Sequence, residues 1–189
     1  MGEIAERYRR RAEAFERKVA GVRPEQWGNQ SPCAKWSARD VVDHIVAMHG
    51  YMLMPVGRKV EAAGDPLEAF RGARAAVEGV LDDPVLAAQE CETPAGRMTV
   101  EGQIDQVVSD DLVLHGWDLA RATGQDETMD PVDVERLWAS TSTLPAEVIE
   151  MYRTPDAFGP GVEVFGAEIA VPDDAPLQDR LLGYIGRQP

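Results

Sequence analysis

The chain of 189 residues contains two cysteines, three histidines and no basic excess. Cys33 and Cys91 are far apart and lack C-x-x-C spacing, so neither a disulfide framework nor a cysteine-rich metal knuckle is indicated. They read as reduced structural thiols, with a single long-range disulfide as the alternative in an oxidising compartment. Lys and Arg total 19 against 33 Asp and Glu, for a net charge of -14 and a pI near 4.6. That balance offers little to neutralise phosphates and sets nucleic acid and anionic membranes aside as expected partners. No stretch approaches the roughly 20 apolar residues of a membrane span. The N-terminal MGEIAERYRRRAEAFERK reads as a charged amphipathic helix rather than a secretory leader, and the expected location is cytoplasmic. There is no Walker loop, G-x-G-x-x-G, G-x-S-x-G elbow or H-E-x-x-H, so nucleotide-dependent, serine-hydrolase and standard zincin chemistries have no motif support.

What is present is the composition of an ordinary globular protein, 44% hydrophobic and 28% charged, long enough for a sizeable core. The expectation is one domain over 1–189, with a core of about 1–124 and an extension of about 125–189. Apolar periodicity predicts a first helix over Ile4 to Val19, then a turn at Pro24 to Trp27. Ser37, with Asp40 three residues on, predicts a capping box for a second helix reaching Leu53. Asp65-Pro66 opens a third helix to about Leu81, and Thr99 caps a fourth that ends at Gly124. Between them CETPAGRMTV is read as a loop overhanging the bundle, with a short hairpin as the alternative. Asp130-Pro131 starts a fifth helix to about Tyr152. The Gly/Pro-rich segment after it reads as irregular, with short extended pieces near Val162 to Phe165 and Ile169 to Val171, before a terminal helix in PLQDRLLGYIGR.

Chemistry concentrates on two of these helices. Asp111 and His115 are spaced i, i+4, which puts a carboxylate and an imidazole on one face. His44 on the second helix sits among Val41, Ile45 and Met48, so its ring is directed toward other helices. Three such ligands leave a coordination position open, as catalytic zinc sites do. The same spacing arises by chance in helical proteins, and a hydrogen-bonding neighbour serves a buried histidine equally, so spacing alone leaves metal binding open.

Other residues carry paired readings. His49 lies about 140° round the helix from His44 and is a poor co-ligand, with packing or a polar contact as the main reading. Asp118 either orients His115 as a hydrogen-bond acceptor or faces solvent and pairs with Arg121, and Trp117 reads as helix packing. Met48, Met52 and Met54 read as core filler. Tyr51 is a pocket candidate that no pattern selects. The arginine run RYRRR at Arg7 to Arg11 reads as the solvated face of the first helix, with Glu3, Glu6 and Glu13 for partners.

The string WSARDVVDH from Trp36 to His44, followed later by DLVLHGWDLA from Asp111 to Ala120, resembles the DinB-like superfamily. Within it the chain is similar to the metal-binding domain of the mycothiol-dependent maleylpyruvate isomerase group, and most similar to single-domain actinobacterial metal-binding proteins, where HGWDLARATG and a closing QDRLL also occur. The resemblance runs over nearly the whole chain. It implies an all-α, four-helix DinB-like bundle, here with additional C-terminal helices and the irregular Gly/Pro-rich segment. It also implies a divalent metal, commonly zinc or nickel, held by His44, Asp111 and His115. The isomerase pattern has Glu where this chain has Asp111, which is one methylene shorter and ligates either directly or through water. The isomerase's extra C-terminal domain is not matched by the residues after Gly124, so the resemblance does not extend to maleylpyruvate isomerisation itself. It does imply thiol chemistry, with mycothiol as cosubstrate of a transferase or isomerase-like enzyme acting on a small electrophile. The alternatives are a metal-dependent hydrolase working through bound water, and a non-catalytic or stress-associated metal-binding bundle. Expected partners are therefore a small-molecule thiol and an electrophile, with a homodimer as a further possibility.

Overall fold

The structure is a computed structural model that describes residues 2–61, 64–93, 96–158 and 164–189. Its contacts divide into two compact units, Met1–Glu127 and Thr128–Pro189.

In the first unit, α1 (Glu3–Ala20), α2 (Ala38–Leu53), α3 (Pro66–Leu81) and α6 (Val108–Thr123) form a four-helix bundle. α1 packs on α3 and α6, and α2 packs on the same two, so the four helices close a ring around one core. Tyr8, Phe15, Ile45, Leu53, Phe70, Val77, Ile104 and Leu112 fill it, all 2% exposed or less. This is the all-α architecture expected of a DinB-like fold.

The helix starts follow the local chemistry. Ser37 caps α2 by accepting from the Asp40 amide, while the Asp40 carboxylate accepts from the Ser37 amide, so an Asp-based capping box forms. Asp65 caps α3 ahead of Pro66, and Gly124 ends α6 with φ of 66°. Around CETPAGRMTV the described residues pair as strands rather than forming a plain loop: β1 (Glu90–Thr93) pairs antiparallel with β2 (Gly96–Thr99), Cys91 opposite Met98, while Pro94 and Ala95 lie outside the described residues. A single-turn helix, α4 (Pro84–Ala87), capped by Asp83, precedes it.

The expected continuous helix from Thr99 to Gly124 is instead two, α5 (Val100–Gln106) and α6, broken at Val107 with φ of -109° and ψ of -77°. Neither Gly nor Pro marks the break, and its restraints come from α1. Arg7 grips Asp105 before it, with Nε to Oδ1 at 2.9 Å and Nη2 to Oδ2 at 2.8 Å. Arg11, one turn on, donates to Ser109 at 3.0 Å and Asp110 at 2.6 Å after it. The arginine run is therefore not simply a solvated face. Arg7 does bond Glu3, as expected, but Arg11 is 2% exposed. The break gives α6 its own first turn, which carries Asp110 and Asp111.

In the second unit the expected fifth helix is likewise two, α7 (Pro131–Thr141) and α8 (Ala146–Arg153), divided just before Pro145. α9 (Leu177–Tyr184) packs on α7, with Trp138 against Tyr184 at 5.9 Å between ring centroids. Val162 and Glu163, half of one expected extended piece, lie outside the described residues. Val164 and Phe165 form a bend, and Ile169 to Val171 is irregular. Gly186, at φ of 84°, lets the chain pass Gly166 so closely that a Cβ there would come within 2.5 Å of its backbone.

No described helix in either unit is long and apolar enough to cross a membrane.

Candidate metal centre

The bundle brings His44 of α2 and Asp111 and His115 of α6 together. One donor atom from each lies within 4.8 Å of the others. His44 Nε2 stands 3.6 Å from Asp111 Oδ2, and the two imidazoles meet edge to face at 4.9 Å between centroids. The i, i+4 spacing of Asp111 and His115 puts both donors on one face of α6, which packs on α2. Exposure is graded: the His44 and Asp111 side chains are about a quarter exposed, at 25% and 26%, while His115 is at 10%.

Behind His115 the site is closed. Its Nδ1 lies 2.9 Å from Asp118 Oδ2, and Asp118 is fully buried. A carboxylate only accepts, so Nδ1–H donates and Nε2 is left for a cation, the arrangement by which metal-binding histidines are commonly oriented. Of the two readings of Asp118, the orienting one holds. Arg121 instead pairs with Glu127 at 3.0 Å and stacks on the Trp117 ring, which is itself buried.

Electrostatics favour positive charge at this point. Burial disfavours the His115 imidazolium, but Asp118, with Cys33 and Asp111, outweighs burial and pushes the ring up to about 10. A divalent cation competes with that proton for the same negative surroundings. The donor set of two imidazoles and a carboxylate thus suits a divalent metal in type and charge.

Two neighbours add to the site. Trp36 lies against both imidazoles, at 4.6 Å from His44 and 5.6 Å from His115 between centroids, and walls one side. Cys33 donates from Sγ to Asp118 Oδ2 at 3.3 Å. Trp36 stood in the sequence only as a marker of the helix motif, and Cys33 as a structural thiol. Cys33 sits in an irregular loop where no spacing rule reports what it touches. Neither cysteine is in a disulfide, and Cys91 is buried, its Sγ 3.4 Å from Gln103 Oε1.

The remaining candidates fall away from the site. His49 is fully buried, donating from Nδ1 to the Ile45 carbonyl at 2.7 Å and accepting at Nε2 from the Tyr8 hydroxyl at 2.9 Å, so both ring nitrogens are engaged. Met52 is core, but Met54 is 67% exposed, and Tyr51 is 60% exposed.

Burial lowers the His49 pKa to about 4, against an ordinary value of 6.5. The unfolded chain takes up this proton below pH 6.5 while the folded chain does so only near pH 4. His49 thus removes up to about 3 kcal/mol of stability as pH falls through that window, and none above it. His49→Gln is expected to flatten the slope of unfolding free energy against pH between 6 and 5 in denaturant titrations. An unchanged slope would refute the assignment.

Residues 8–96 match the family described as mycothiol maleylpyruvate isomerase N-terminal domain. The match includes Cys33, Trp36 and His44, whereas Asp111 and His115 lie beyond it. An uncharacterized protein of Mycobacterium tuberculosis, found in strain CDC 1551 / Oshkosh and again in strain ATCC 25618 / H37Rv, is 29% identical over 185 residues, 95% of this chain and 95% of the relative. No solved structure gives a significant match. The DinB-like resemblance read from the two helix motifs is consistent with both the isomerase-domain match and the four-helix bundle.

Proposed function

We propose that His44, Asp111 and His115 hold a divalent metal ion, zinc first and nickel second, and that the protein uses it in mycothiol-dependent transfer or isomerisation of a small electrophile. One observation carries the reading: the three donors converge within 4.8 Å while the buried Asp118 fixes the far side of the His115 ring. The similarity of residues 8–96 to the isomerase domain supports a thiol cosubstrate. A divalent ion at this position supplies Lewis acidity and favours the thiolate, the nucleophilic form, over the thiol.

The chain's own residues set the rest. Asp118 holds the tautomer of His115, Trp36 shields one side of both rings, and the partial exposure of His44 and Asp111 leaves access from solvent. One carboxylate and two neutral imidazoles leave a divalent ion with net positive charge, which attracts an anionic sulfur. A small-molecule thiol and an electrophile are thus the proposed partners.

Cobalt-substituted protein tests this. Addition of mycothiol is expected to produce a thiolate-to-cobalt charge-transfer band in wild type and none in His44→Ala. Turnover of ester or amide substrates without thiol, and no band, would replace the thiol reading with the hydrolytic one.

A further inference from the structure

We propose that Cys33, Asp118 and His115 form a second cation position, on the Nδ1 side of the His115 ring, selective for a thiophilic divalent ion softer than zinc. One donor atom from each of the three lies within 4.8 Å of the others. Two of the contacts already converge on a single atom: Asp118 Oδ2 accepts from His115 Nδ1 at 2.9 Å and from Cys33 Sγ at 3.3 Å. A divalent ion takes the place of both hydrogen-bonded protons at once. The thiol proton and the Nδ1 proton both go to solvent, the imidazolium becomes a neutral imidazole that keeps its proton on Nε2, and no oxidant or reductant is involved.

Charge and burial agree with this assignment. A thiolate, a carboxylate and a neutral imidazole balance a divalent ion to zero, which is the condition for holding it where Asp118 is 0% exposed and His115 is 8% exposed. The pair of His44 and Asp111, more exposed, contributes one negative charge only, so an ion held there with His115 keeps a net charge of one and draws an anion from solution. The sulfur donor adds selectivity, because thiolates favour soft ions over the harder ones that imidazole and carboxylate accept.

The two positions share His115. An ion on Nδ1 leaves Nε2 protonated, so His115 is withdrawn from the set with His44 and Asp111. A thiophilic ion therefore switches off the outer set from within, without contacting His44 or Asp111. This inference requires only the inner three residues and stands whether or not the proposed thiol chemistry does.

Cadmium titration of the full chain, stripped with chelator, tests it through the ultraviolet charge-transfer band of cadmium thiolate. Wild type is expected to bind cadmium with the band, and Cys33→Ser to lose it while retaining its helical circular dichroism. Cys91→Ser and His44→Ala are expected to keep the band. Cys91 is the other thiol of the sequence, so wild type and Cys91→Ser alone identify the sulfur even if Cys33→Ser does not fold. Absence of the band in folded wild type, its loss in Cys91→Ser, or its loss in folded His44→Ala would each overturn the inner position. A band in wild type that fails to bind zinc would leave the inner position standing and remove the outer one.

Discussion

Asp118→Asn is expected to weaken binding of a divalent ion about 10- to 100-fold, the usual consequence of removing the partner that orients a metal-binding histidine. The packing around the position is kept, since Asn fits the same volume and its carbonyl can accept from Nδ1. What is lost is the full negative charge, and with it part of the basicity of the ring. Competition against a chromophoric chelator at fixed pH measures the change, and an unchanged affinity would show that Asp118 does not act through His115. The metal-free protein gives an independent readout. There the folded pKa of His115, about 10, lies above its unfolded value of 6.5, so its stabilising contribution is complete below pH 6.5 and is lost as pH rises toward 10. In Asp118→Asn that alkaline loss of stability is expected to shrink, because the carboxylate that raises the ring is gone.

Arg7→Met is expected to destabilise the fold by about 3 kcal/mol, because it leaves Asp105 as a buried carboxylate without its bidentate partner. The Arg7 and Asp105 side chains are 11% and 8% exposed, so water does little to compensate. The double variant Arg7→Met, Asp105→Leu is expected to recover most of the loss, since removing both charges removes the desolvation cost as well. Urea unfolding of the two single variants and the double variant gives the coupling directly. Additive losses would mean that the pair does not restrain the break. The pair also bears on the site: with Arg11 it ties α1 to both sides of Val107, whose carbonyl accepts from the Asp111 amide at 2.9 Å. Metal affinity in Arg7→Met is therefore expected to fall along with stability.

Features written in local chemistry were legible in the sequence. The Ser37 and Asp40 capping box, the Asp65-Pro66 start and the Gly124 stop each act within a few residues, and each appears where the sequence places it. The spacing of Asp111 and His115 belongs to the same class. The break at Val107 was not legible, because its restraints are arginines about 98 residues away in sequence. The division before Pro145 was different: the proline signal was present, and the expected helix ran past it to Tyr152. Asp118 had two readings because a carboxylate three residues after a histidine can turn inward or outward, and only packing around Trp117 and Leu119 decides. Cys33 had no sequence signal at all, since its contact with Asp118 spans a loop and a helix 85 residues apart.

The most direct test of the metal assignment is elemental mass spectrometry of untagged protein purified without chelator or nickel affinity resin, comparing wild type with His44→Ala and His115→Ala. The account predicts close to one zinc or nickel per chain in wild type and loss of that ion in both variants, each still folded by circular dichroism. Folded wild type without metal even after equilibration with zinc and nickel, or stoichiometric ion retained in both variants, would contradict it.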